Sequence, residues 1–386
     1  MSKRNKEIIH IGVVFGLGGV QSTFKSFIHK SEGIGKLKHS IWYPKDKKNV
    51  FEQLNKLNID KYNGYITLFL KLIKKNVTIV WYNNFASRLL TILLRLPVKN
   101  KIILYERGTA WNVDDDKEKR AYSKNLARAS TIFVNSQATS NYLSERFKTD
   151  KKKIKIIYNG VNLVKNFGSL PKKTQKAVIG YIGRLEPFKG VHTLAEAFLL
   201  LNDKTSELWI AGVGPFEPFL RKRYENNKRI KFLGLVENIA SFYKKVSFVV
   251  VPSLREPLGN VVLEAGAYGK AVIATNVDGI PEIIDSGVSG ILIEATKPAF
   301  WNIDHEDEII IPKYVVSSKT RKLTLIREIS SRKLAKEISS LIGNRKYARM
   351  LGYNLRIRVE EQFSISSYTV ALEESLKEHL KAKTYL

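Results

Sequence analysis

The sequence contains no cysteine and only two methionines among its 386 residues. The lack of cysteine excludes disulfides, thiolate nucleophiles and cysteine-based zinc sites, which suits a reducing compartment. No uninterrupted apolar run reaches the roughly 18 residues that a membrane-spanning helix requires, and the six histidines form no catalytic or metal-binding motif. Hydrophobic residues nevertheless make up 44% of the chain. This length and composition predict two globular domains, each with a buried core.

Acidic residues are also few, because 36 Asp and Glu stand against 65 Lys and Arg, which gives a formal net charge of +29. Such an excess favours an anionic partner (nucleic acid, phosphorylated glycolipid or acidic bilayer), although a lysine-rich genome would also produce part of it. Basic clusters occupy residues 71–75, 88–95 and 146–155. None shows the aromatic and glycine pattern of an RNA-binding module. We therefore expect an anionic membrane surface or acidic glycan as partner, and no nucleic acid.

Apolar runs alternate with amphipathic segments along the chain. The first run, IIHIGVVF, follows three basic residues and could belong to a secretory signal. No small-residue cleavage site follows it cleanly, so a buried strand is the better interpretation. The other strand-like runs are TIVWYN, KIILYE, STIFVNS, IKIIYNG, AVIGYIGR, ELWIAGVG, IKFLG, SFVVVPS, KAVIATN and GILIEA. This alternation predicts βαβ units and parallel sheets, and hence an α/β fold.

The most informative stretch is SLREPLGNVVLEAGAYGKAVIATNVDGIPEII. In it, Glu256 and Glu264 lie on either side of a predicted tight turn, with Glu264 in the first turns of a predicted helix. The N–H groups at a helix N-terminus lack partners and lie at the positive end of the helix dipole, so they bind anions. A phosphate on these N–H groups and hydroxyl-rich groups on the two carboxylates describe a sugar nucleotide. A solvated acid pair at a helix start is the alternative.

This stretch resembles the E-x7-E signature of the retaining family 4 glycosyltransferases of the GT-B fold. Upstream, YIGRLEPFKG (181–190) is similar to the family's G-R-L-x-x-x-K-G element, and WIAGVGP (209–215) and FLGLVENIASFYKKVSFVVVPS (232–253) follow in the family's order. NGVN (159–162) resembles the N-G-V-D between the two domains of the family. The resemblance is specific from about residue 156 to residue 293.

The resemblance implies a GT-B architecture, α/β with two Rossmann-like β/α/β domains facing a central cleft. The Gly-, Ser-, Pro- and Lys-containing stretch at 166–176 predicts the boundary between them. We expect an acceptor-binding domain at 1–168, a nucleotide-sugar-binding domain at 169–366, and a helix within 367–386 that crosses back to the first domain. Residues 297–330 depart from the family pattern, and we interpret them as an elaborated loop, with a surface flap or partner contact as the alternative.

The resemblance also implies roles for site residues. Arg184 and Lys189 would bind the leaving diphosphate and, with Glu256 at the sugar where positive charge develops, form the catalytic set. Glu264 would accept hydrogen bonds from ribose. The other implied donor-binding residues are the glycine loop at Gly18 and Gly19, Val236, and the backbone of Leu258, Gly259 and Asn260. That loop lacks the third glycine of G-x-G-x-x-G, which disfavours a dinucleotide site.

Two features differ from the family pattern or compete with it. Where the family often has a histidine near the donor sugar, this sequence has Glu106 and Arg107, which we expect to contact the acceptor or the sugar. Asp114–Asp116 contains D-x-D, the Mg²⁺/Mn²⁺ motif of the other glycosyltransferase fold. It lacks the expected strand context, so a solvated acidic turn is favoured. We therefore expect no metal and no cofactor.

The predicted function is retaining, metal-independent transfer of a sugar from a nucleoside diphosphate donor, UDP-linked, to an acceptor hydroxyl. Family precedent implies front-face displacement, in which the departing phosphate takes the acceptor proton. The acceptor would be a lipopolysaccharide or other surface-glycan precursor, and the protein would be cytoplasmic and peripheral at the inner membrane face. The alternatives are a soluble glycosyltransferase acting on a protein or metabolite, and a non-catalytic basic binding protein.

Overall fold

The structure is a computed structural model that describes residues 6–12, 19–31, 37–44, 58–62, 64–73, 77–165, 176–299 and 312–382. The chain divides into two compact units, Met1–Gly160 with Ile365–Leu386, and Val161–Ser364. We call them the first and the second unit. The sequence-based boundaries were 168 and 366, and most of the boundary stretch, residues 166–175, lies outside the described residues.

The first unit is built on seven parallel strands in the order β3-β2-β1-β4-β5-β6-β7. Its strands are β1 (Glu7–Ile11), β2 (Lys38–Pro44), β3 (Asn58–Tyr62), β4 (Val77–Tyr82), β5 (Ile102–Glu106), β6 (Thr131–Val134) and β7 (Ile154–Ile156). Its helices are α1 (Gly19–Ser31), α2 (Gly64–Ile73), α3 (Arg88–Leu93), α4 (Asp116–Arg128) and α5 (Gln137–Phe147), with 3₁₀ turns at Lys99–Lys101, Thr109–Asn112 and Lys151–Lys153.

The inner strands of this sheet are buried along their length, as parallel strands covered on both faces must be. All six residues of β4 and all five of β5 are buried. The prediction that the first apolar run is a buried strand is confirmed for β1, which pairs with β2 and β4. Residues 13–15 of that run lie outside the described residues.

The second unit repeats this order with six parallel strands, β10-β9-β8-β11-β12-β13. Its parallel strands are β8 (Val178–Ile182), β9 (Glu207–Ala211), β10 (Ile230–Gly234), β11 (Phe248–Val251), β12 (Val272–Thr275) and β13 (Ile291–Ile293). Its helices are α6 (Val191–Leu199), α7 (Glu217–Tyr224), α8 (Ile239–Lys245), α9 (Asn260–Ala267), α10 (Ile280–Ile283), α11 (Ser331–Gly343) and α12 (Arg345–Gln362), with a 3₁₀ turn at Pro187–Lys189.

The order of strands in the second sheet fixes where a ligand is expected. The chain runs outward from β8 to β9 on one side and from β11 to β12 on the other, so the connection changes direction between β8 and β11. In open α/β sheets ligands bind at such a switch point, beyond the carboxyl ends of the strands. The loops after β8 and β11 are therefore the place to look for the site.

The segment that departs from the family pattern forms small antiparallel pairs in the second unit. β14 (Lys297–Pro298) pairs with β17 (Arg327–Glu328), and β15 (Tyr314–Val316) pairs with β16 (Leu323–Leu325) as a hairpin. Residues 300–311 lie outside the described residues. The described part of this segment is thus more ordered than the elaborated loop that the sequence suggested.

The last helix, α13 (Ile365–Ala382), belongs to the first unit and packs on α1. Its buried side chains Tyr368, Leu372 and Leu376 join the core of that unit. Glu373 adds a buried polar link, because its Oε1 lies 2.7 Å from Nε2 of His39 on β2. Among the helices described, none combines the length and the hydrophobicity that crossing a bilayer requires.

Candidate functional site

A lysine and a glutamate meet at the switch point of the second sheet. Lys189 ends the 3₁₀ turn after β8, and Glu256 lies in the loop after β11. The Nζ of Lys189 is 2.6 Å from Oε2 of Glu256, and both side chains are largely buried. The hydroxyl of Ser253 lies 3.4 Å from the same carboxylate oxygen. The two residues that the sequence placed in one catalytic set are therefore in direct contact.

Close backbone approach brings the two loops together. Gly190 has a φ of 68°, and a Cβ there would lie 2.1 Å from the carbonyl oxygen of Pro252. Only glycine fits this conformation and this distance, which explains the K-G pair of the sequence motif. The N–H of Leu254 donates to the carbonyl of Phe188 at 2.8 Å. These contacts fix the loop that carries Lys189 against the loop that carries Glu256.

Arg184 supplies a second cation in the segment between β8 and the 3₁₀ turn. Its side chain is 67% exposed and pairs with Glu186, with Nη1 3.0 Å from Oε1. Its carbonyl accepts a hydrogen bond from the buried Tyr181 hydroxyl at 2.8 Å, which anchors the backbone. An exposed guanidinium on an anchored backbone can reach an anionic ligand and bind it through two N–H groups.

The N-terminus of α9 follows Glu256 in the same loop. Leu258 is buried, and Gly259 precedes the helix with a φ of 112°. Glycine has no side chain that could cap the helix, and Asn260 is the first helical residue. Such an end presents backbone N–H groups and a positive partial charge, the arrangement that binds phosphate or sugar oxygens.

Glu264 is the fifth residue of α9, so it lies at the start of the second turn, within the first turns of the helix as the sequence suggested. The Tyr243 hydroxyl donates to its Oε2 at 3.3 Å. Burial raises the pKa of Glu264 to about 6, and the Tyr243 hydrogen bond partly opposes this shift. A desolvated carboxylate with one long hydrogen bond has lone pairs available for ligand hydroxyls.

The other predicted donor-binding residues contribute less to the described geometry. Val236 is partly buried in the loop between β10 and α8. Gly18 lies outside the described residues, and Gly19 is the first residue of α1 in the first unit. Their contact with the donor stays a prediction.

Glu106, predicted as an acceptor or sugar contact, is fully buried at the end of β5. Its Oε1 accepts from the N–H groups of Gly108 and Ala110, at 2.6 and 3.1 Å. Its Oε2 accepts from the hydroxyls of Thr109, at 2.8 Å, and Tyr122. Four donors fill the capacity of a carboxylate, so Glu106 shapes its own loop. The contact with acceptor or sugar that the sequence suggested for it stays a prediction.

Arg107 is also buried, and its Nη2 donates to Oδ1 of Asn159 at 2.7 Å. Asn159 opens the NGVN stretch, and the division between the units falls within that stretch, after Gly160. Arg107 therefore ties the end of β5 to the segment that leaves the first unit. The acceptor contact predicted for it is untested.

Asp114–Asp116 forms a helix start. Asp115 caps α4 by accepting the N–H of Glu118 at 2.8 Å, and Asp114 pairs with Arg146 at 3.2 Å. Across the described ranges no group of three or more His, Asp or Glu side chains is arranged to hold a metal ion. The capping role agrees with the interpretation of this motif as an acidic turn.

Sequence reasoning missed Asp278, a buried residue between β12 and α10. Its Oδ2 accepts the backbone N–H of Glu256 at 2.9 Å. The next residue, Gly279, donates its N–H to the Glu256 carbonyl at 3.1 Å. A Cβ at Gly279 would lie 2.3 Å from the carbonyl oxygen of Pro257, so the two loops touch here as well. Only its place within the stretch that carries Glu256 and Glu264 could have signalled this role.

Comparisons with known proteins identify glycosyltransferases as relatives of this chain. A family model described as glycosyl transferases group 1 matches residues 176–302, and a second, glycosyltransferase family 4, matches residues 37–165. An uncharacterized glycosyltransferase of Methanocaldococcus jannaschii is 29% identical over 247 residues, which cover 58% of this chain and 63% of that protein. The capsular polysaccharide biosynthesis glycosyltransferase CapM of Staphylococcus aureus is 26% identical over 297 residues, 74% of this chain and 66% of that protein. These alignments span somewhat less than two thirds of each relative.

Among solved structures, Anabaena HepE in complex with UDP and glucose superposes with a TM-score of 0.72 at 17% identity, covering 97% of this chain and all of that one. At that identity the similarity shows the fold, which is GT-B with two Rossmann-like units. The chain belongs to the group 1 glycosyltransferases.

Proposed function

We propose that this protein transfers a sugar, with retention of configuration and without a metal, from a nucleoside diphosphate donor to an acceptor hydroxyl. The observation that carries the proposal is the Lys189–Glu256 pair at the switch point, beside the N-terminus of α9. A cation, a carboxylate and the positive end of a helix in one place match the diphosphate and hydroxyl groups of a nucleotide sugar.

Each group has a distinct task in this proposal. Lys189 and Arg184 neutralise the diphosphate as it leaves. This electrostatic stabilisation increases in the transition state, because negative charge builds up on the leaving phosphate. Glu256 faces the positive charge that develops at the anomeric carbon, and Glu264 holds the ribose hydroxyls. The departing phosphate accepts the proton of the acceptor hydroxyl, so no protein nucleophile is required.

We take the donor to be UDP-linked and the acceptor to be a surface-glycan precursor, such as lipopolysaccharide, carried on the cytoplasmic face of the membrane. Support comes from what similar proteins are named for. One solved structure of the same fold holds UDP and glucose, and one sequence relative is named for capsular polysaccharide biosynthesis.

The direct test is a screen of nucleotide sugars for thermal stabilisation, followed by incubation of the best donor with glycolipid acceptors. Release of UDP and a product whose anomeric configuration equals that of the donor are expected. Glu256→Gln should bind the donor yet form little product. A purified protein that binds no nucleotide sugar would overturn the proposal and favour a non-catalytic binding protein.

The proposed membrane contact lies on the first unit. Four members of the basic cluster 146–155 bond within the unit. Arg146 donates to Tyr142 Oη at 2.9 Å, Lys151 to Asn141 Oδ1 at 3.2 Å and Lys153 to a backbone carbonyl at 2.7 Å, and Lys155 pairs with Glu378. In this cluster, carboxylates compensate the charges of Arg146 and Lys155. Lys74 and Lys75 lie outside the described residues.

Helices α2 and α3 offer a better surface. Ile66, Leu70 and Ile73 are 53% to 59% exposed and recur at helical spacing on α2, which contacts α3. A groove of about 700 Å³ between α3 and α4 is lined by Ala86, Arg88, Thr91, Ile92, Arg95, Asp115, Lys117, Glu118, Arg120, Ala121 and Lys124. Exposed apolar side chains on a helix that contacts α3, and a groove with five basic and two acidic lining residues, suit an anionic bilayer and an acidic acceptor.

Flotation with anionic vesicles tests this contact. Replacing Ile66, Leu70 and Ile73 with Ser should reduce binding to phosphatidylglycerol vesicles and leave UDP affinity unchanged. The matched control replaces Leu325 and Tyr353, exposed apolar residues of the second unit, with Ser. This control should not change vesicle binding. If the wild-type protein does not bind anionic vesicles at low salt, the acceptor is soluble and the net charge is compositional.

A further inference from the structure

The hairpin β15–β16 and the strand β17 contact other parts of the second unit beside the candidate site. At one point Oε2 of Glu328 lies 3.3 Å from Nε2 of His192 and accepts from the Thr193 hydroxyl at 3.2 Å, at the start of α6. At the other, Val316 contacts Asp278. Helix α6 begins directly after Lys189 and Gly190. Asp278 accepts the backbone N–H of Glu256.

Asp278 joins the hairpin to the Glu256 loop through a single carboxylate. Its Oδ1 accepts the N–H of Val316 at 2.7 Å, and its Oδ2 accepts the N–H of Glu256 at 2.9 Å. Its own N–H donates to the Val316 carbonyl at 3.1 Å. The residue has a left-handed φ of 46°, which is strained for a side chain other than glycine. These side-chain hydrogen bonds compensate for that strain.

The electrostatic surroundings make this link sensitive to pH. Burial raises the pKa of Asp278 to about 7, and the charge of Glu256 adds to the increase. The N–H groups of Val316 and Glu256 and the Arg255 guanidinium act in the opposite direction. Arg255 and Glu256 are thus the charged groups that act on this carboxylate, and Lys189 lies beyond Glu256 as its ion-pair partner.

We propose that Asp278 is a positioning residue for Glu256 and that it transmits the placement of the β15–β16 hairpin to the Glu256 backbone. A protonated oxygen is a poor acceptor, so protonation of Asp278 leaves one of the two buried N–H groups without a strong partner. Alignment of Glu256 with Lys189 is therefore best above neutral pH and is lost as the pH falls below about 7.

The first test needs no activity. We expect hydrogen exchange at the Glu256 amide, measured at pH 8, to be about ten times faster in Asp278→Asn, which replaces one acceptor oxygen with an amide NH₂. Asp278→Gly should show the same increase, although glycine relieves the strained φ. Unchanged exchange in both variants would overturn the proposal. Val316→Pro, which removes the other N–H without altering Asp278, should also loosen Glu256.

Asp203 provides the matched control. Its carboxylate accepts the N–H and the hydroxyl of Thr205, each at 2.7 Å, in the turn before β9. It lies at the amino edge of the same sheet, away from the loops of the site. Asp203→Asn should lower the thermal midpoint without changing exchange at Glu256. Equal exchange in this control and in Asp278→Asn would mean that general loosening explains the effect.

The second test rests on the proposed function and measures turnover of UDP-glucose, or of the best donor found, against pH. In the wild-type protein kcat should fall between pH 8 and pH 6 with little change in donor KM. Asp278→Asn should start from a lower kcat and lose that slope. Wild-type protein without turnover would refute the proposed function while the exchange experiment still decides the role of Asp278. A slope that persists in Asp278→Asn would contradict that role alone.

Discussion

Two lysine–glutamate pairs of similar burial lie in the two units of this protein. In the first unit, Lys71 on α2 is 3.2 Å from Glu7, with side chains 21% and 18% exposed. In the second, Lys189 is 2.6 Å from Glu256, with side chains 19% and 13% exposed. Geometry and burial alone do not distinguish them.

Their positions relative to the sheets do distinguish them. Glu7 begins β1, so it lies at the amino edge, where Ser40 Oγ also donates to it at 2.9 Å and Lys71 lies 5.1 Å from the Trp42 ring. Glu256 lies beyond the carboxyl edge, at the switch point where ligands bind in such folds. The first pair attaches a helix to a strand, and the second is placed for a ligand.

Changing Glu256 should have the largest effect. We expect Glu256→Gln to lower kcat about a hundredfold, the scale of one lost transition-state electrostatic contact, with a smaller change in donor affinity. Glu7→Gln breaks the comparable pair and should lower stability but not kcat. Steady-state kinetics of both variants decide the comparison, and equal kcat values would remove Glu256 from the site.

Changing Glu264 should raise stability while weakening donor binding. Because its pKa is raised from 4.5 to about 6, the folded state holds its proton more tightly than the unfolded state, so stability falls as the pH rises through 4.5 to 6. Glu264→Gln should therefore be more stable than wild type at pH 7, by up to about 2 kcal/mol, and equal to it below pH 4.5. Donor KM should rise.

Thermal unfolding at pH 4 and pH 7, with donor kinetics at pH 7, tests this pair of effects. A variant that is less stable at pH 7 and binds donor normally would show that Glu264 serves the fold and not the ligand.

Changing Arg184 should weaken UDP binding by about 1 kcal/mol, since its exposed side chain bonds the diphosphate in contact with water. Arg221, which forms a 2.8 Å pair with Glu217 and is 40% exposed, offers a matched control in the same unit. Calorimetry with UDP should detect the change in Arg184→Ala and none in Arg221→Ala. Equal affinities in the two variants would place the phosphates elsewhere.

Removing divalent ions should have the smallest effect. Lys189, Arg184 and the N-terminus of α9 supply the positive charge, so turnover should be the same with and without EDTA. Loss of turnover in EDTA and its recovery with Mg²⁺ or Mn²⁺ would require a metal, and Asp114–Asp116 would then be tested by substitution with Asn.

Most of the parallel strands could be predicted from sequence, because strands buried on both faces are continuous apolar runs. β2 and β3 were not predicted. In β2, His39 and Ser40 interrupt the apolar pattern, and His39 is satisfied by Glu373 of α13, more than 300 residues away in the chain. Partners so distant leave no local signal.

In the candidate site too, residues with a local sequence signal could be predicted, and residues that depend on distant partners could not. Lys189, Glu256 and the start of α9 could be placed from motif spacing, because they lie in loops that directly follow strands. The role of Glu106 in its own loop could not be predicted from sequence, because the hydroxyl of Tyr122, from the next helix, completes its set of donors. Asp278 was missed because its partner Val316 belongs to a segment outside the recognised pattern.

The central claim is that the second unit binds the donor diphosphate at the Lys189–Glu256 pair. Titration calorimetry with UDP on wild type, Lys189→Ala and Lys71→Ala tests it most directly, since the two variants break comparable pairs at opposite sheet edges. We expect Lys189→Ala to weaken UDP binding by about 1–3 kcal/mol and Lys71→Ala to bind UDP like wild type. Equal UDP affinity in all three proteins, or a loss confined to Lys71→Ala, would contradict the account.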